Sequence, residues 1–216
     1  MRYVPELTDK EIKDNHDILE ERLKVYREKG LDFLKTRELI LNKTGPFRGK
    51  ILDVGSGKGM MALFLAKAGY DLVSIDNDET MLRLTALNLA YEGLLSKVEL
   101  HFMDAYSLQF DDNSFDNVTM VEALHHMDDI DGLLAEMDRV FSGRGKIILA
   151  DFNKKGLEIV DHIHGRGGHS HRASSIGRDD ADNWLKQNGY RTERYDDRCH
   201  WILIAGKGTK DAKEKL

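Results

Sequence analysis

The stretch ILDVGSGKGM, Ile51–Met60, decides the fold. A short apolar run containing the acid Asp53 opens into a loop with glycine at every second position, Gly55, Gly57 and Gly59, and Ser56 sits between the first two. Glycine has no Cβ, so such a backbone can take positive φ and come close to a ligand at the mouth of the next helix. The following MMALFLAKAG is apolar and helix-forming and stops at Gly69, so the segment reads strand, turn, helix.

Spacing separates the ligands that use such turns. A dinucleotide fingerprint needs G-x-G-x-x-G, its third glycine allowing close packing of helix on strand. Here that place is held by Met60, and the glycine comes one residue early, giving D-x-G-x-G-x-G from Asp53 to Gly59. The pattern resembles motif I of the class I S-adenosylmethionine-dependent methyltransferases. An NAD-dependent oxidoreductase is the rival reading of the same turn.

With 216 residues, 41% of them hydrophobic, the chain can bury one large core. A net charge of -6 and a pI near 5.9 argue against a general nucleic-acid binder. Membrane association is not expected: no apolar run approaches the roughly 20 residues a bilayer span needs, and MRYVPELTDKEIKDNH is too polar for a signal peptide. The single Cys199 excludes an internal disulfide and fits a reducing, cytoplasmic setting.

Outward from the glycine turn, three parts are expected. Residues 1–45 carry helical spacing among dense charges and form an N-terminal helical cap. Residues 46–208 alternate strand and helix signals, among them DLVSID, ETMLRLTALNLAYEG, VELHFMD, FDNVTMVEA and KIILADF, which predicts an α/β fold: a parallel sheet with helices on both faces. Near the end, YRTERYDD and HWILIAGK lie close enough for a hairpin, so the last strand is antiparallel to its neighbours. A seven-stranded, Rossmann-like sheet ending in that hairpin is what the resemblance implies. The lysine-rich residues 209–216 read as a solvated tail.

Further acids fall at strand ends. In SIDND, Asp76 stands 21 residues after Gly55, followed by Asn77; a carboxylate there can accept from both ribose hydroxyls. Asp78 is the structural alternative, placed for a helix N-cap. By resemblance, Asp104 and Ala105 in HFMDAYSL read the adenine, and Met81 and Met103 could flank it, although apolar positions of this kind also suit plain core. Glu122 ends the fourth strand beside the same crevice. The adjoining ALHH stretch is similar to that of small-molecule methyltransferases of the quinone-biosynthesis type, and the resemblance covers roughly residues 48–152.

A sulfonium is a good leaving group, so the first requirement is alignment of the acceptor. A hydroxyl, thiol or protonated amine also needs a base, for which His125 and His126 are the candidates; the structural alternative is that one of them packs under the next helix. In DHIHGRGGHSHR, His162, His164, His169 and His171 form two H-x-H pairs about a glycine turn. On an extended chain each pair presents two imidazoles to one side, a candidate site for zinc or a similar divalent metal. The alternative there is a weakly cationic loop, with Arg166 and Arg172, closing over an anionic substrate. Asp151, Asn153 and Glu122 could instead hold magnesium, as in catechol-type O-methyltransferases. The expected activity is methyl transfer to a small-molecule acceptor; a metal-responsive binding protein on the same scaffold is the alternative from another class.

Overall fold

The computed structural model describes residues 1–165 and 176–208, with backbone only at 164 and 165. Two helices come first, α1 (Asp9–Lys29) and α2 (Phe33–Thr44). Thr8 opens α1 with a reciprocal capping box to Glu11, and Gly30 closes it in the left-handed conformation. The carboxylate of Asp32 caps α2, accepting from the amides of Leu34 and Lys35.

From there strands and helices alternate: β1 (Ile51–Val54), α3 (Met60–Lys67), β2 (Leu72–Asp76), α4 (Glu79–Tyr91), β3 (Val98–Phe102), β4 (Phe115–Val121), α5 (Ile130–Val140), β5 (Phe141–Phe152), α6 (Lys154–Gly165), α7 (Arg178–Gln187), β6 (Tyr190–Asp196) and β7 (His200–Lys207). Seven strands form one sheet in the order β3-β2-β1-β4-β5-β7-β6. Strand β1 pairs in parallel with β2 and β4, whereas β7 is antiparallel to both β5 and β6. The seven-stranded sheet and its closing hairpin are those the sequence predicts.

Strand order reverses between β1 and β4, which opens a crevice beyond their carboxyl ends. The sheet is firm there because β1 is buried at every position, as expected of a strand covered on both faces. Alternation sends Leu52, Val54, Ile147 and Leu149 into one apolar layer and Ile51 and Ile148 into the other. Leu52 is fully covered, so truncation to alanine there costs about 2–5 kcal/mol.

Two elements depart from the pattern. Strand β5 begins at Phe141, directly after α5, and Gly143 at φ 77° and a register shift against β4 absorb the change of direction. Helix α6 follows β5 where the sequence shows no clear helical period. Its Leu157 and Val160 nevertheless pack with Tyr26 and Phe152, a spacing obscured by Ile159 and by the charged Glu158 and Asp161 around them. Among the described residues no helix is long and apolar enough to cross a membrane. The expected tail, 209–216, lies outside them.

Candidate active site

The glycine turn is tied to the end of β2, because Gly55 and Ser56 both donate their amides to the carbonyl of Ile75, at 2.9 and 2.8 Å. Gly55 has φ 75°, and a Cβ on it would meet the Ala123 Cβ at 2.8 Å. Gly59, the early glycine, caps α3 in the left-handed conformation. There a Cβ would meet Thr85 of α4 at 2.7 Å, so Gly59 allows α3 and α4 to pack closely. Gly57 differs: its φ is 53° but a Cβ would meet nothing within 4 Å. Its open side faces the crevice, where a ligand can approach the backbone.

The strand-end acids divide by burial. Asp76 accepts from the Gly57 amide at 2.8 Å and the Asp78 amide at 3.0 Å. Burial raises its pKa, and those amides offset part of the effect. Asp78 takes the capping role, its carboxylate accepting from Thr80 at 2.7 Å. Asp76, Asn77, Met81, Asp104 and Ala105 line one cavity of about 280 Å³. Met103 borders it too, yet it is buried in the core cluster.

Asp53, the acid that opens the D-x-G-x-G-x-G pattern and is counted with the cofactor-binding residues, lies deeper than the other strand-end acids. It is 2% exposed and lies beneath the turn, its carboxylate accepting from Ser74 of β2 at 2.7 Å and Thr119 of β4 at 2.9 Å. Burial pushes its pKa up to about 6 against those two hydroxyls. The acid ties three central strands together below the crevice.

A second cavity, about 340 Å³, extends from the turn beneath α1, α2 and α6, with Leu19, Tyr26, Phe33, Phe152 and Val160 among its walls. Gly55, Gly57, Met81, Glu122 and His126 border both cavities. Glu122 has φ 59°, a left-handed conformation that costs a non-glycine residue about 1–2 kcal/mol. Both its oxygens meet Arg37 of α2, at 2.5 and 2.9 Å. His200 Nε2 lies 2.9 Å from Glu122 Oε1, an ion-pair contact and not an aligned hydrogen bond. Burial works against the Glu122 charge, but Arg37 and His200 outweigh it and hold the carboxyl at about 2. His200 is fully buried, and although burial lowers its pKa, Asp197 and Glu122 bring the net shift upward. Arg37, which lines the second cavity, and His200, which reaches the site only through Glu122, were not picked out from the sequence.

His125 and His126 lie on a short 3₁₀ turn after β4, their rings 3.9 Å apart. His125 is buried. Its Nδ1 is 2.7 Å from Asp151 Oδ1, and its amide donates to Asp151 Oδ2 at 2.8 Å. The magnesium reading fails on these contacts. Asp151 is occupied by His125 and the Phe152 amide, Glu122 by Arg37, and the Asn153 side-chain oxygen accepts from Gly156.

The histidine-rich segment is also corrected in part. His162 and His164 lie in helix α6, not on an extended chain, and helical positions i and i+2 stand roughly 200° apart around the axis. His169 and His171 lie outside the described residues. Among the described residues no group of three or more His, Cys, Asp or Glu side chains is placed to hold a metal ion.

Comparison with known proteins adds to this geometry. The family profile described as "Methyltransferase domain" matches residues 52–149. Among curated proteins, the chain is 34% identical over 108 residues to "Methyltransferase GfsG" of Streptomyces halstedii, covering 50% of this chain and 39% of that one. It is 33% identical over 125 residues to the "Ubiquinone/menaquinone biosynthesis C-methyltransferase UbiE" of Idiomarina loihiensis, covering 56% and 50%. The chain therefore spans about half the length, or less, of these curated relatives. Among solved structures, a SAM-dependent methyltransferase from Aquifex aeolicus superposes with a TM-score of 0.62 at 19% identity, covering 78% of this chain and 88% of that one. The seven-stranded sheet with its crevice at the switch point thus shares the fold of that SAM-dependent methyltransferase structure, and residues 52–149, which include the glycine turn, are similar to a methyltransferase domain.

Proposed function

We propose that this protein binds S-adenosylmethionine across the glycine turn and transfers its methyl group to a small-molecule acceptor held beneath α1, α2 and α6. The observation that carries this reading is the meeting of the two cavities at Gly55, Gly57, Met81, Glu122 and His126. One cavity offers the acids suited to an adenosine; the other offers apolar walls. The residues present fit the cofactor: the open side of Gly57 leaves room for a close backbone approach, and Asp76 is already oriented by two amides. Asp104 and Ala105 are the assigned adenine readers. Similarity to a C-methyltransferase of quinone biosynthesis supports a small acceptor.

When bound, S-adenosylmethionine supplies a methyl group activated by a positively charged sulfur. The protein's part is to align the acceptor and exclude water, which apolar walls and the helical roof favour. Where the acceptor atom carries a proton, His125 is the assigned base. Asp151 holds Nδ1 and so orients the ring, turning the edge that carries Nε2 toward other partners.

Calorimetry with S-adenosylhomocysteine, followed by incubation of pooled small molecules with methyl-labelled cofactor, tests the proposal. Saturable binding and transfer of label are expected. Binding of NAD without binding of S-adenosylhomocysteine would overturn it.

A further inference from the structure

The cavity beneath α1 has mostly apolar walls but carries, besides the Arg37 that pairs with Glu122, two further cationic side chains, Arg22 of α1 and Lys58 of the glycine turn. Neither has an ion-pair partner among the described residues. The cavity's carboxylate, Glu122, is already committed to Arg37 and His200. Burial, then the nearby charge of Arg22, lowers the Lys58 pKa to about 8, and Glu122 only partly opposes this.

Their placement is built in. Asn88 of α4 donates to the Lys58 carbonyl at 2.7 Å and accepts from Asn15 of α1 at 2.6 Å. One asparagine thus links the helix that carries Arg22 to the turn that carries Lys58. Arg22 is exposed at the rim and Lys58 half-buried below it, so an anion seated in the cavity mouth would meet both charges.

The methyl donor does not remove this excess. Its amino-acid end is a zwitterion without net charge, and its sulfonium adds a further positive charge. Whichever side chain meets the donor's carboxylate, the cavity remains electropositive. We propose that the acceptor is an amphipathic anion, with an apolar, ring-sized body against Tyr26, Phe33 and Phe152 and an acidic group, carboxylate, sulfonate or phosphate, held by Arg22 and Lys58. This assignment rests on the methyl-transfer reading and names its substrate class.

Two fluorescent probes of matched shape test it on the full chain with S-adenosylhomocysteine present: 8-anilinonaphthalene-1-sulfonate and the uncharged N-phenyl-1-naphthylamine. The anionic probe should bind at least about tenfold more tightly than the neutral one, and the double variant Arg22→Gln, Lys58→Met should abolish that preference while leaving the neutral probe unaffected. Equal binding of both probes to the unaltered protein would overturn the proposal. So would a double variant that loses S-adenosylhomocysteine affinity but keeps the probe preference, since the two cations would then serve the cofactor. Failure of S-adenosylhomocysteine to bind the unaltered protein is a different result: it sinks the methyl-transfer reading, and the anion preference is read separately with the probes alone.

Discussion

Arg37 and Glu122, 85 residues apart, face each other as a two-pronged pair that joins the helical cap to the end of the central strand. The Arg37 side chain is 2% exposed, so neither charge can easily turn to water. Removing one partner leaves the other buried and uncompensated. Arg37→Ala is expected to destabilise the fold by about 3–5 kcal/mol, and Arg37→Met with Glu122→Met should recover much of that loss. Denaturant unfolding of the single and double variants checks both outcomes.

Stability should also follow pH in two opposite directions. Glu122 is held at about 2 against an ordinary 4.5, so its contribution is complete above pH 4.5 and lost as the pH falls from there toward 2. His200 is raised above its ordinary 6.5. Its contribution is complete below 6.5 and lost as the pH rises through the higher folded value. Unfolding midpoints from about pH 3 to about pH 9 should therefore decline on both sides. Glu122→Gln should flatten the acid limb and His200→Gln the alkaline one; an unchanged profile in either variant contradicts the assignment.

The two neighbouring glycines should respond differently to alanine. At Gly55 the new Cβ meets Ala123 at 2.8 Å, so both stability and S-adenosylhomocysteine affinity should fall. At Gly57 there is space, and the folding cost is limited to about 1–2 kcal/mol for a left-handed residue. Its loss of cofactor affinity should be the larger effect. Thermal unfolding beside calorimetry separates the two.

The proposed ligand role of Asp76 and the capping role of Asp78 are separable by mutation. Asp76→Asn should weaken S-adenosylhomocysteine binding by about 1.5–3 kcal/mol, the worth of hydrogen bonds to a charged group. Asp78→Ala should instead cost about 0.5–2 kcal/mol of stability through the helix cap, with affinity nearly unchanged. The reverse result would exchange their roles.

For an acceptor that must lose a proton, His125→Asn should reduce kcat by about 10²–10⁴. Asp151→Asn should leave cofactor binding intact and move the pH profile of kcat, since Asp151 acts through the orientation of His125. Proportional loss of kcat at every pH would mark Asp151 as merely structural.

The half of the candidate site around the glycine turn is legible in the sequence because its parts are local. Gly55 to Gly59 lie in one turn, and Asp76 and Asp104 each end a strand whose apolar run is visible. Asp53 shows the limit of that logic: its position fits motif I, but the hydroxyls of Ser74 and Thr119 draw it under the sheet. The half beneath the helices depends on long-range encounters. Nothing in FLKTRELI announces that Arg37 meets Glu122, and His200 joins them only when β7 is laid beside β5. Helix α6 was obscured because its apolar positions are interleaved with charge, so the histidine pairs could be taken for an extended segment.

Of the 21 residues in α1, only Leu23 and Tyr26 are buried. The helix is fastened to α4 by Glu11 to Arg83, Asn15 to Asn88 and a stack of the His16 ring on Tyr91. A lid attached in this way can lift without disturbing the hydrophobic sheet below, and its charged latch loosens as ionic strength rises. Amide hydrogens along α1 should accordingly exchange well before those of β1 and β4. The roof over the cavity beneath α1 is thus sensitive to salt, while the sheet below it stays rigid.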